Sequence, residues 1–404
     1  NMFGSRKMEQ TEDAAGFQKA AFASLVVAHA FNDMAGGFFA PLAPLIAREL
    51  SLSLTMLGII MTIRSFFGSL PQALFGWLVD RYPSRWWLLS TPFWVGIFRS
   101  AIGFAVGFWS LTFIMSVGSL GGACFHPPAA SRVREVTGGR RGLSMAFYVG
   151  AGRVGHAVGP IVALALVSWF GLKGLAIAAA FYAIPMVLLT WFSVKPPTPK
   201  KSRPPTLRAA ATSENWKPIL LLYFVSLFRN AVTVNLGAYM TLYLASRGMS
   251  LWWGGTAMTV LLFSGGLGGL LGGWISDRAG RRFVILLSSL LTFSLLLAFL
   301  QTTQWLQFGL IPLLGTVAYS TLGLSVAYAQ ELLPNRPALA ASLTQGANLF
   351  FSGLSLTAMG VLGDLFGLQM ALHILLILLL METCVALFLP GSGHGRPGLI
   401  RTVT

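Results

Sequence analysis

The chain has 404 residues, 55% of them hydrophobic and only 10% charged, with a net charge of +16. A soluble domain carries about 25% charged residues, so this composition excludes an ordinary soluble fold. The basic residues sit in short loops between apolar runs, not in a stripe interleaved with aromatics, which argues against nucleic acid as a partner.

A helix needs about 20 apolar residues to cross a bilayer, and in lipid its backbone groups must be satisfied within the helix. The runs here are too long and too continuous for barrel strands. They predict twelve spans in chain order, at 18–47, 54–79, 87–107, 110–131, 143–170, 172–193, 218–245, 252–275, 283–301, 305–330, 338–365 and 369–389. The first contains Asn32 and Asp33 and is too long for the apolar core of a cleaved signal, so it reads as a span. Cys124 and Cys384 lie inside apolar runs and form no disulfide framework. Nearly all loop Lys and Arg fall on one side, against Arg48, Lys173 and Arg247 on the other. By the positive-inside rule both termini are then cytoplasmic. The stretch KPPTPKKSRPPTLRAAATSENWKP, starting at Lys195, is the one extended polar segment between spans. It divides the chain into a tail (1–17), a six-helix bundle (18–194), a linker (195–217), a second bundle (218–390) and a tail (391–404).

The halves repeat. GWLVDRYPSR begins at Gly76, after span two, and GWISDRAGRR begins at Gly273, after span eight. A fainter echo ends spans four and ten, each with a glutamate, Glu135 and Glu331. Parallel six-span repeats are a transporter architecture. The pattern G-x-x-x-D-R-x-x-R, with its second copy, resembles the loop 2–3 signature of the major facilitator superfamily. HAFNDM from His29, FHPPAASRV from Phe125 and VAYAQELLP from Val326 resemble the fosmidomycin-resistance subfamily. The resemblance implies an all-α membrane protein with the major facilitator fold, twelve transmembrane helices in two six-helix bundles. It also implies a proton-driven efflux pump of the bacterial inner membrane.

Asp33 lies midway along span one, where an ionised carboxylate is expensive and usually marks an ion or proton path. His29, one turn earlier, shares its helical face. These two are the expected proton-coupling pair, the alternative being a permanent ion pair with an arginine. Arg64, Arg99, Arg153 and Arg229 lie at similar depth and outnumber Asp33 and Glu382. A guanidinium fork suits carboxylate and phosphonate oxygens. Arg64, Arg153 and Arg229 are therefore candidate substrate contacts, with His156, Asn32, Asn235, Tyr239 and Tyr148 beside them; an internal salt bridge is the alternative for each arginine. His126, before Pro127-Pro128, is expected to satisfy a broken helix. Asp80 with Arg81 and Arg85, and Asp277 with Arg278, Arg281 and Arg282, are expected to latch the cytoplasmic helix ends. Small residues in GAGRVGHAVGP (from Gly150) and SGGLGGLLGG (from Ser264) predict close packing of spans five and eight. Gly155, Gly159 and Pro160 also resemble part of the antiporter motif of superfamily drug exporters.

No enzyme motif or cofactor site is evident, and no metal site is expected. The expected partners are protons, lipid and a small organic solute, anionic by the arginine excess, with no nucleic acid and no obligate protein partner. The rivals are an organic-anion importer or uniporter, a lipid or amphiphile exporter, and a non-transporting receptor or scaffold.

Overall fold

The computed structural model describes residues 17–82, 84–137, 141–193, 216–303, 305–334, 340, 343–344 and 348–391. The tails, nearly all of the linker, Arg140 and the side chain of Asp80 lie outside this description. The described chain is all-helical. In order, the α-helices are α1 (Lys19–Gly36), α2 (Phe39–Glu49), α3 (Leu54–Ser69), α4 (Pro71–Arg81), α5 (Trp86–Ser100), α6 (Phe108–Val136) and α7 (Arg141–Phe170). Two short helices follow, α8 (Ile177–Phe181) and α9 (Ala183–Leu188), and then α10 (Trp216–Ser246), α11 (Leu251–Ala279) and α12 (Arg281–Gln301). The last four are α13 (Trp305–Tyr319), α14 (Leu322–Leu332), α15 (Asn348–Phe366) and α16 (Leu368–Ala386). Among the described residues, nine helical stretches are long and apolar enough to cross a membrane. Spans one and three are not among them, and span eleven appears among the described residues as a shorter apolar helix, Phe351–Phe366.

Span one is not the single helix expected over 18–47. It breaks at Gly36-Gly37. Two glycines weaken the helix there, and Pro41 and Pro44 follow with no N–H to donate. The Gly37 N–H turns back to the Met34 carbonyl at 3.0 Å. Three carbonyls that lose helical partners are met by side chains. Asp33 O accepts from His156 Nδ1 at 3.1 Å, Gly36 O accepts from Arg64 Nη2 at 3.0 Å, and Ala40 O accepts from the Thr241 hydroxyl. The break therefore leaves no unpaid backbone group at these positions.

The chain forms two compact units that cut across the division at the linker. The first combines the described residues up to Ser193 with Val234–Phe263 and Gly353–Ala371. In it α7 lies along α1 on a seam of glycines. A Cβ at Gly155 would strike the Ala30 backbone, one at Gly159 the Met34 carbonyl, and one at Gly152 would lie 2.5 Å from Asp33 Oδ2. The same unit holds α3 against α15. The Thr62 hydroxyl lies 2.7 Å from Gly353 O and 2.8 Å from the Thr357 hydroxyl, and the Tyr239 hydroxyl donates to Leu356 O at 2.6 Å. At the end of this contact the Asp364 carboxylate accepts from the N–H groups of Leu54 (3.0 Å) and Thr55 (2.8 Å). A carboxylate from another helix thus caps the start of α3, where free N–H groups and the helix dipole favour negative charge.

The second unit combines the described residues of Trp216–Thr233, Ser264–Ser352 and Leu372–Gly391. Here the glycines of α11 seat on span ten: Gly265 on the Tyr319 ring, Gly268 on the Thr316 backbone and Gly272 on that of Ser320. Spans five and eight do meet, with Gly255 against the Leu164 side chain, but their runs of glycines face α1 and span ten and not each other, because only a glycine surface lets those backbones approach so closely.

Candidate functional site

The site is built on the last two turns of α1. His29 and Asp33 stand one turn apart, with His29 Nε2 3.3 Å from Asp33 Oδ2. The ring of His29 is fixed twice. It stacks on Tyr148 of α7, with centroids 4.0 Å apart, and its Nδ1 donates to the Tyr148 carbonyl at 2.8 Å. Asn32 Nδ2 donates to Asp33 Oδ1 at 2.9 Å. Gly152 leaves room for both side chains against α7. His29, Asn32 and Tyr148 are buried, while the side chain of Asp33 remains 26% exposed. One face of the carboxylate is therefore held by protein and another is open.

His126, from α6, approaches that open side. Its Nε2 lies 3.8 Å from Asp33 Oδ1 and its side chain is 35% exposed. The expectation that His126 satisfies a broken helix is corrected, because α6 runs unbroken from Phe108 through Pro127 and Pro128 to Val136. The imidazole is free to face Asp33. No converging set of ligand-type side chains was expected, yet His29, Asp33 and His126 each offer an atom within 4.8 Å of the other two. Spacing along the chain gives no sign of this, since His126 comes from a different span.

The arginines divide. Arg64 is partly exposed and caps the broken end of α1, where a cation favours the negative helix terminus, while the His156 ring adds a hydrogen bond to the Asp33 carbonyl. Arg99 is 7% exposed and donates to the Ser119 hydroxyl at 3.0 Å. Arg153, one turn before His156, is exposed. Arg229 belongs to the second unit and is 1% exposed. Its Nε and Nη2 donate to Glu382 Oε1 at 3.0 and 2.9 Å, and its Nη1 to the Thr292 hydroxyl at 2.9 Å. Asn235 and Tyr239 are fully buried and bonded to the Ser355 hydroxyl and the Leu356 carbonyl. Arg229, Asn235 and Tyr239 present no face to a solute in this structure, because each is turned into a helix contact.

Of the expected latch residues, Arg81 and Arg85 are exposed and rest beside the rings of Tyr82 and Trp86. The second copy is an ionic cluster. Arg281 Nη1 lies 2.6 Å from Asp277, and Arg281 Nη2 lies 2.9 Å from Glu331, the glutamate of the span-ten echo. Arg278 covers the Trp274 ring at 4.0 Å, and Arg282 donates to Leu387 O.

Comparison with known proteins gives the same architecture. The chain is 28% identical over 360 residues to the MFS-type transporter YfnC of Bacillus subtilis (strain 168), covering 85% of this chain and 86% of that one. It is 25% identical over 382 residues to the fosmidomycin resistance protein of Escherichia coli (strain K12), covering 92% and 93%. Its fold matches a bacterial homologue of the human lysosomal transporter Spinster, in an inward-facing and unoccupied conformation, with a TM-score of 0.78 at 16% identity over 91% of this chain and 96% of that one. The nucleoside transporter NupG matches with a TM-score of 0.74 at 14% identity, over 91% and 99%. The sequence profile of the Major Facilitator Superfamily matches residues 25–353. The chain is thus a multi-pass helical secondary transporter, not an enzyme, and belongs to the Major Facilitator Superfamily.

Proposed function

We propose that the protein exports a small organic anion from the bacterial cytoplasm in exchange for protons, in the manner of the fosmidomycin-resistance subfamily. It does so as twelve spans in two six-helix bundles of the inner membrane, with both termini in the cytoplasm. The observation that carries this reading is the half-open Asp33 carboxylate, 3.3 Å from a histidine whose other nitrogen is already committed to a carbonyl. A carbonyl only accepts, so His29 Nδ1 carries a proton. His29 Nε2 then faces an acceptor, and a proton shared between Nε2 and Asp33 satisfies both. Gain or loss of that proton changes the charge beside the broken end of α1. The guanidinium held there, Arg64, feels the change most directly.

The substrate groups of this proposal are Arg64, Arg153 and His156, which retain partial or full exposure. Asn32 and Tyr148 position the Asp33–His29 pair. Arg229, Asn235 and Tyr239 serve as scaffold. With the N-terminus in the cytoplasm, the α3–α15 contact capped by Asp364 lies toward the periplasm, and its closure is one limit of alternating access. The loop clusters at Asp80, Arg81 and Arg85 and at Asp277, Arg278, Arg281 and Arg282 stabilise the opposite limit. The name of the Escherichia coli relative supports export of a toxic compound.

Inside-out vesicles test the reading. A pH gradient, acid inside, should drive uptake of a labelled small phosphonate or carboxylate, and a protonophore should abolish it. Uptake indifferent to the protonophore would mean a uniporter. Uptake of cationic amphiphiles but of no anion would reassign the arginines to structure.

A further inference from the structure

We infer that His29, Asp33 and His126 form a binding site for a divalent transition-metal ion of the zinc type. The inference uses the proposed coupling pair but stands whether or not that pair carries protons for transport. Three observations support it. First, the donor set is two imidazoles and one carboxylate, drawn from α1 and α6, with one ligand atom of each within 4.8 Å of the others. Zinc bonds of about 2.0–2.2 Å at a tetrahedral angle separate ligand atoms by about 3.3–3.6 Å. His29 Nε2 lies 3.3 Å from Asp33 Oδ2 and His126 Nε2 lies 3.8 Å from Asp33 Oδ1, so each imidazole faces one carboxylate oxygen at close to that separation. A proton needs only the His29–Asp33 pair; the third converging group is what a metal requires.

Second, the outer contacts are those of a metal ligand set. A ligating histidine characteristically donates its other ring N–H to a carbonyl or carboxylate, which fixes the tautomer and turns the remaining lone pair to the metal. His29 Nδ1 does this to the Tyr148 carbonyl at 2.8 Å, and the stacked Tyr148 ring holds the plane. Asn32 anchors the carboxylate at 2.9 Å. Third, the site is not sealed. Asp33 is 26% and His126 35% exposed, which leaves room for an open coordination position on that side. Three protein ligands with one open position favour a borderline ion over calcium or magnesium, which prefer all-oxygen shells. The open position takes water or an anionic oxygen of a bound solute.

The test is metal binding to the purified full-length protein, with Co²⁺ as the spectroscopic probe and Zn²⁺ as the competitor. Wild type should show the visible bands of four- or five-coordinate cobalt, and Zn²⁺ should abolish them. His126→Gln should weaken Zn²⁺ binding about tenfold or more, whereas His373→Gln, remote from the site in sequence and span, should leave it unchanged. Wild type showing only the weak six-coordinate aqueous spectrum would overturn the site. So would equal Zn²⁺ affinity in wild type and His126→Gln, and the wild-type spectrum decides the matter even if the variant misfolds. A protein with proton-driven flux and no cobalt spectrum loses the metal site alone. A protein that binds cobalt, yet keeps proton coupling as Asp33→Asn, loses the coupling proposal alone.

Discussion

At the scale of single residues, the buried Arg229–Glu382 pair is the plainest energetic test. Both side chains are essentially inaccessible, at 1% and 0% exposure. Removing one partner strands a charge in the interior. Glu382→Gln or Arg229→Met should therefore destabilise the protein by about 3–5 kcal/mol, read as a fall in thermal stability in detergent. The double variant, Arg229→Met with Glu382→Leu, should recover much of that loss, because no lone charge remains. A solute-contact role for Arg229 predicts the opposite pattern: near-normal stability and lost transport. The sequence placed an arginine and a glutamate in spans seven and twelve, but nothing local marked them as partners, since 153 residues separate them. His29 and Asp33 were legible because one helical turn joins them. His126 was not, because a neighbouring Pro-Pro pair suggested a broken helix that α6 does not have.

At the scale of elements, glycine placement decides which helices approach. The small residues of spans five and eight were legible as packing faces, but their partners were not, since a smooth face does not specify what covers it. Gly155 is the position to test. A side chain there meets the Ala30 backbone, which cannot move aside as a flexible side chain would. Gly155→Leu should part α7 from α1, separate the Tyr148 carbonyl from His29 and lower folded yield sharply in fluorescence-detected size exclusion. Equal yield and activity would contradict the seam. The break in span one was also written in the chain, as Gly36-Gly37 followed by Pro41 and Pro44, although hydropathy alone drew one helix across it. Asp364 offers a gentler test. Asp364→Ala removes a cap on α3 worth about 1 kcal/mol, so it should shift the population away from the closed α3–α15 contact by roughly fivefold. Cysteine accessibility at Thr55 should rise correspondingly; unchanged accessibility would make the cap incidental.

At the scale of the whole molecule, the repeat of GWLVDR at Gly76 and GWISDR at Gly273 was enough to read the family, and the family profile over residues 25–353 agrees. The compact units were not legible, because they follow contacts rather than chain halves: Val234–Phe263 and Gly353–Ala371 pack with the first unit. In the alternating access proposed above, such a grouping belongs to one conformation. The alternative conformation should release the Asp364 cap and redistribute those segments, so a distance label pair on α3 and α15 should show two populations whose ratio moves with substrate. In the proposed mechanism, what the molecule does with that change rests on Asp33. Simultaneous measurement of solute and proton flux in proteoliposomes, for wild type and Asp33→Asn, addresses it most directly. Proton movement should be coupled to anion movement in wild type. In the variant, solute exchange should survive without proton movement and no longer respond to a pH gradient. Undiminished proton coupling in a folded Asp33→Asn protein would rule out Asp33 as the coupling carboxylate.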